Sequence, residues 1–373
     1  MTSLMLNEDE TMLRDSARGF LDDAAPVKML RTNRDSGRAY DPGFWKEMAQ
    51  MGWTGVLVPE EAGGSDMGHR AAGILAEEMG VTLAASPFIS SAVMAATALR
   101  GAASDRLSGI ADGSAIYAIA VDEGTKHGPE KTALQAERSG NAFRLSGRKT
   151  FVADGGSAGR VLVLARTAGA PGEAAGLTLF DLDADRAGLS RSARKTVDSR
   201  DHAQLDFDGV EATGDDIVGE LDNGMAVLGL ALRAGQAALS AELTGLSAGA
   251  FAMTAGYLKE RKQFDRIIGS FQALQHRAAH MWSEIEVTAS AIANAGRVLD
   301  ESPDESQLAV SVAKARATQT AKLVVSEGVQ MHGGIGMTDE FDMGFFMKRA
   351  RVGAEWLGDY GYHAAKVAAA RGF

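Results

Sequence analysis

Apolar positions recur at helical spacing through residues 1–112. The stretch NEDE at 7–10 has the N-x-x-E form of a capping box, and Leu13, Ala17, Phe20 and Leu21 follow it, so a helix is predicted to start there. GWTGVLVPEEAGGSDMG interrupts the pattern with Pro59 and the Gly63–Gly64 pair and reads as a loop between helices. From 113 to 222 the texture changes to short runs, AIYAIAV, FRLSG, KTFVADG, RVLVLAR, GLTLFDL and AQLDFDGV, with turn residues between them. That spacing predicts an all-β middle domain, a sandwich or a small barrel. After GELDNG (219–224) long helical runs return over about 225–262, 271–300, 305–331 and 340–370, and short connections favour an antiparallel four-helix bundle. The expectation is an α+β multi-domain chain: a helical domain over 1–112, a β domain over 113–222 and a bundle over 223–373. No internal repeat and no low-complexity tract interrupts this order.

Composition narrows the classes of function. A length of 373 residues exceeds what one hydrophobic core usually organises. Hydrophobic residues at 45 % and charged residues at 23 % are the balance of a soluble globular protein. A formal charge of −11 argues against a nucleic-acid backbone or an anionic membrane as the main partner, since either is attracted by a basic face. An anionic ligand would then require a local cluster of Arg or Lys. The absence of cysteine removes disulfides, thiolate metal sites and cysteine nucleophiles, and a reducing, cytoplasmic setting is expected. MTSLMLNEDETMLRD has no basic region followed by an apolar one, so no signal peptide is expected. The longest uncharged stretch, 81–99, has the length of a membrane span, but Pro87 and its Ser and Thr residues make it a loop followed by a soluble helix. His276, His280, His332 and His363 show no metal-ligand spacing, so packing or surface roles are expected of them.

Two segments carry candidate chemistry. In ERKQFDR (260–266) Arg261 and Phe264 are three apart at a helix end and share a face, and Gln272 begins the next helix. HGGIG (332–336) is a glycine cluster between helices. Taken alone, the first is a solvated helix end and the second a turn. Together they offer a backbone that a ligand can approach closely, free N–H groups at a helix start and a guanidinium fork suited to phosphate.

With the α–β–α order, YLKERKQFDRIIGSFQALQHRAAHM (257–281) and QMHGGIGMTDEF (330–341) closely resemble the acyl-CoA dehydrogenase family, and the resemblance spans essentially the whole chain. It implies that the two segments clasp FAD across a subunit interface, which requires an oligomer, a homo- or heterotetramer. By position, Arg261 would hold the FAD pyrophosphate, Phe264 would pack on the cofactor, and Gln272, Gln330, Gly333 and Gly334 would line its site. In RKTFVADGG (148–156) the family's Trp and Thr beside the isoalloxazine are replaced by Phe151 and Ala153, which keeps an aromatic ring and loses a hydroxyl.

Family chemistry takes a proton from Cα of an acyl thioester while hydride leaves Cβ for the flavin, so a carboxylate must face the flavin. The family's most frequent base falls at Leu357, and its second location, on the first bundle helix, falls at Gly235; neither residue accepts a proton. Glu242 lies seven residues, two helical turns, beyond Gly235 and projects from nearly the same face. It is the only charge in 234–256, where an unpaired charge facing an apolar interface would be costly. The competing reading is a Glu at the helix rim, solvated or paired with Arg233 or another basic residue. Glu355 and Asp359 flank Leu357 and, on a continuous helix, point away from it. Ser199–Arg200 reads as fixing a loop between the β strands and the bundle.

The resemblance implies FAD-dependent α,β-desaturation of an acyl-CoA with Glu242 as base and an electron-transfer flavoprotein as acceptor. The shifted acid and KTFVADG are similar to the branch that forms α2β2 heterotetramers on bulky or steroid acyl-CoAs. Two alternatives remain open: a non-catalytic partner subunit of a heteromeric enzyme, and a flavin oxidase or monooxygenase of the same fold.

Overall fold

The structure, a computed structural model, describes residues 6–102 and 104–373. Residues 1–5, part of the stretch behind the signal-peptide expectation, lie outside the described residues. The amino-terminal region is helical, with α1 (Glu8–Ala24), α2 (Val27–Asp35), α3 (Pro42–Gln50), α4 (Gly68–Thr82), a π-helical stretch Phe88–Ala95 running on as α5 (Ala96–Leu99), and α6 (Leu107–Ala111). The capping box forms at the start of α1: the Asn7 side chain accepts from Glu10 N at 2.8 Å, and the Glu10 carboxylate accepts from Asn7 N at 2.9 Å.

Strands follow: β1 (Tyr117–Ala120), β2 (Gln135–Ser139), β3 (Ala142–Ala153), β4 (Arg160–Arg166), β5 (Leu177–Asp183), β6 (Leu189–Ala193), β7 (His202–Thr213) and β8 (Ile217–Val218). They form one sheet in the order β6-β7-β3-β2-β4-β5-β8, with β1 parallel to β4. Inward-facing Leu145, Val161, Val163, Phe180, Leu205 and Val210 fill its core. Lys149 is drawn inside among them, its ammonium donating to the Glu123 carboxylate at 2.7 Å and to Val121 O at 2.8 Å; burial pushes its pKa down to about 8. The long β3–β7 ladder is irregular between Lys149 and Val152, where a bulge turns Phe151 outward with a left-handed φ of 50°.

The remainder is helical: α7 (Gly224–Glu260), a small hairpin of β9 (Lys262–Gln263) and β10 (Arg266–Ile267), then α8 (Gln272–Glu301), α9 (Gln307–His332), α10 (Met343–Glu355) and α11 (Tyr360–Ala370). The last run, expected as one helix over 340–370, is two. Leu357 and Gly358 take φ of 58° and 103°, a left-handed pair that no right-handed helix continues through, and Asp359 recaps the chain by accepting from Tyr362 N at 2.8 Å. Glu355 and Asp359 therefore do not share a helix. The fold is thus an N-terminal helical domain, a central β-sheet domain and a C-terminal helical domain.

Packing sorts the chain into two compact units, one of 1–37, 73–85 and 236–373, the other of 38–72 and 86–235. In the first, α4 and α7 cross with their backbones touching: a Cβ on Gly80 would lie 2.1 Å from Glu242 O, and one on Gly245 would lie 1.7 Å from Glu77 O. Only glycine permits that approach. Among the described helices α7 alone is long and apolar enough to cross a membrane, and it is mostly buried, as a core helix is.

Candidate active site

Glu242 sits on the stretch of α7 held by that glycine contact. Its side chain is 5 % exposed, and Arg349 from α10, 1 % exposed, reaches Oε1 with Nη1 at 3.5 Å. The carboxylate is therefore neither solvated nor at the helix rim; a cation faces it, and that cation comes from more than a hundred residues further along the chain. No local spacing could have indicated Arg349, which reads as one of several charges in KRAR. Gly235 and Leu357 are both buried and offer no proton acceptor.

The corner at Leu357 is built by three side chains from other helices. Gln236 Nε2 donates to Leu357 O at 3.1 Å, His363 Nε2 lies 3.0 Å from the same oxygen, and the Lys314 ammonium donates to Gly353 O and Gly358 O at 3.0 Å each. Lys314 thus caps the C-terminal end of α10, where carbonyls lack intrahelical partners and a cation complements the helix dipole. It is fully buried, and that desolvation pushes its pKa down to about 7, against the pull of Asp359 and Glu355. Glu355 pairs with Arg351 at 2.8 Å and Asp359 caps α11, so both acids have structural tasks.

The two motif segments meet in space. Tyr257, near the end of α7, packs at a tilt against His332 at the end of α9 with 4.5 Å between ring centroids, and Phe341 packs against both, 4.7 Å from His332 and edge-on to Tyr257 at 6.5 Å. His332 is buried with Nδ1 2.7 Å from Gly328 O, and burial lowers its pKa, which keeps it neutral. Around this aromatic knot the candidate binding residues face outward: Arg261, Gln272, Gln330, Gly333 and Gly334 are exposed, and Phe264 is 85 % exposed at the tip of the hairpin with φ of 53°. The Arg261 side chain forms no hydrogen bond or ion pair among the described residues. Nothing lies within 4 Å of where a Cβ on Gly333 or Gly334 would stand. The start of α8 has no side-chain cap, so its first amides remain available to an anion. An unpaired guanidinium, an uncapped helix start, an outward aromatic and open backbone fit a dinucleotide with a pyrophosphate and a flat ring.

In the other unit Phe151 is 52 % exposed on its bulge, an aromatic face held in a strained conformation, while Ala153 is buried at the end of β3. The next residue, Asp154, accepts a short hydrogen bond from Ser90. Ser199 turns its loop with φ of 63° and the Asp198 carboxylate accepts from Arg200 N at 3.3 Å, which is the loop-fixing role expected of Ser199–Arg200. Among the described residues no group of three His, Cys, Asp or Glu could hold a metal ion.

Comparison with known proteins gives this arrangement a family. The sequence profile described as acyl-CoA dehydrogenase, C-terminal domain, matches residues 222–371, and that described as acyl-CoA dehydrogenase, N-terminal domain, matches residues 7–107. A solved variant of the Tcur3481-Tcur3483 steroid ACAD is 30 % identical, with a TM-score of 0.86 and 97 % of each chain covered. The chain belongs to the acyl-CoA dehydrogenase family. Similar curated proteins include acyl-CoA dehydrogenase IpdE2 of Mycolicibacterium smegmatis, 27 % identical over 95 % of this chain and 96 % of that one. A 3-(aryl)acrylate reductase of Clostridium sporogenes is 25 % identical over 95 % of this chain and 96 % of its own.

Proposed function

We propose that this chain is an acyl-CoA dehydrogenase that desaturates an acyl-CoA between Cα and Cβ, with Glu242 as the base. The observation that carries the reading is Glu242 itself: a carboxylate buried on the core helix of the bundle, two turns from Gly235, in a stretch without another charge. FAD, when bound, supplies the acceptor for the hydride that leaves Cβ. Arg261 would hold its pyrophosphate, Phe264 and Phe151 would pack against it, and Gln272, Gln330, Gly333, Gly334 and Ala153 would line its site. Glu242 takes the Cα proton onto a carboxylate oxygen, and the electron pair left behind becomes the new C=C bond. The outward direction of Arg261 and Phe264 supports clasping the flavin of a neighbouring subunit in a tetramer. Similarity to the Tcur3481-Tcur3483 steroid ACAD supports a heteromer acting on bulky acyl-CoAs; an electron-transfer flavoprotein is the acceptor we assign to it.

The test is anaerobic bleaching of the flavin band by a panel of acyl-CoAs, with wild type and Glu242→Gln compared. The reading expects bleaching by the wild type only, with FAD retained in both. Equal bleaching by Glu242→Gln removes Glu242 as base.

The pairing of Glu242 with Arg349 and the apolar Leu357 at the α10–α11 corner favour a second reading, a non-catalytic subunit that lends its clasp to a partner. A purified chain that holds no FAD, and gains it on mixing with a second subunit that alone bleaches, supports that reading instead.

A further inference from the structure

The contact between Glu242 and Arg349 is unlike the contact of Arg18 with the buried Glu78 in the same unit. Arg18 grips Glu78 by both oxygens, at 3.1 and 2.8 Å, with its guanidinium half in solvent. Arg349 is itself withdrawn from water and stands 3.5 Å from Oε1 of Glu242, in an α7–α10 contact where Leu239 and Leu243 pack against Gly353 and Gly249 lies close to Phe346. Burying two charges in this way adds little net stability, because desolvation offsets their attraction; apolar side chains of the same volume commonly do as well or better. Packing between α7 and α10 therefore does not account for a charged pair at this place. A carboxylate that must meet Cα does require a counter-charge and a fixed direction, since misplacement by about 1 Å costs on the order of 100-fold in rate.

We propose that Arg349 is a positioning residue: from α10 it holds the Glu242 carboxylate in one rotamer, directed at the place where the Cα proton arrives, and supplies the counter-charge in this buried contact. This rests on Glu242 being the base. The 3.5 Å contact between Nη1 and Oε1 places a positive charge beside that oxygen and so fixes the direction in which the carboxylate points.

The experiment uses the flavin-loaded protein, with its partner subunit where one is needed. It compares wild type, Glu242→Gln, Arg349→Met and Arg349→Lys. Two quantities are read with butyryl-, octanoyl- and steroid acyl-CoA: the limiting rate of anaerobic flavin bleaching together with its half-saturating concentration, and the exchange of the acyl-CoA α-hydrogen into D2O by NMR. Arg349→Met is expected to slow both bleaching and exchange by about 10–100-fold with the half-saturating concentration unchanged, and Arg349→Lys to recover most of that loss. A purely structural role would lower the melting temperature and flavin content instead and leave the limiting rate of the folded fraction intact. Should Arg349→Met fail to fold, Arg349→Lys decides: it must still slow the limiting rate by about 3-fold or more, because the ammonium keeps the charge but, as a point charge on a flexible stem, holds the carboxylate's direction less firmly than the planar guanidinium.

If Glu242→Gln stops bleaching and exchange while both Arg349 variants run at the wild-type rate, the positioning role is overturned and the base reading stands. If Glu242→Gln matches wild type, or wild type neither bleaches nor exchanges, the base reading itself fails and takes this proposal with it.

Discussion

Replacing Lys314 by Met removes a single buried charge whose effect on stability has a definite sign and pH window. Lys314 is fully buried against the C-terminal carbonyls of α10, and its pKa falls from 10.5 to about 7, chiefly by desolvation. The folded chain therefore releases this proton near pH 7 and the unfolded chain near 10.5. Between those values the unfolded state binds more protons, so stability rises with pH there; below about 7 both states carry the proton and this group gives no slope. A gap of roughly 3.5 pH units at about 1.36 kcal/mol each amounts to ~5 kcal/mol across the window, or about 1.4 kcal/mol per pH unit within it. Methionine is close in volume and cannot titrate, so Lys314→Met loses the carbonyl contacts as a constant offset and flattens the slope. Urea titrations followed by circular dichroism, on both proteins at pH 6, 7.5, 9 and 10, isolate the effect, because every other Lys and Tyr titrates alike in the two. The wild type is expected to gain on the variant steadily from pH 7 upward. Parallel profiles, or a wild type that loses ground as pH rises, would refute the reasoning; the second would mean that the carbonyl cage outweighs desolvation and holds the ammonium charged.

Two further outcomes follow from the geometry. Gly245→Ala places a methyl 1.7 Å from Glu77 O and forces α4 and α7 apart, so a loss of about 3 kcal/mol is expected, read as a lowered melting temperature; a change within about 0.5 kcal/mol would show that the helices do not touch there. Arg261→Ala alters an exposed guanidinium without a partner among the described residues, so the flavin-free chain should keep its stability within about 0.5 kcal/mol while flavin retention through gel filtration falls by about 10-fold or more; unchanged retention would remove Arg261 from the cofactor site.

The sequence by itself determined the order of elements. The capping box at Asn7–Glu10, the turn-punctuated strands from Tyr117 to Val218 and the long helical runs from Gly224 onward are all local signals, written in spacing and in turn residues, and the structure carries them except that the last run divides into two helices. The two candidate binding segments could be picked out because Arg261, Phe264 and the glycines at 333 and 334 sit in short contiguous stretches, but alone they read as a helix end and a turn, and only the family resemblance links them to a flavin. Leu357 and Gly235 as places without a proton acceptor were equally plain. Tertiary structure decided what surrounds each charge. Lys314 and Arg316 stand two apart and look alike in sequence, yet one is sealed under the end of α10 and the other pairs with Glu284 beside solvent. The break at Leu357–Gly358 escaped the helical pattern because Gln236, Lys314 and His363, contributed by three other helices, stabilise a left-handed corner that periodicity does not register. Arg349 opposite Glu242 escaped for the deepest reason: burial and pairing belong to helices that meet only after the chain has folded, and no spacing within α7 or within α10 encodes which faces of the two come together.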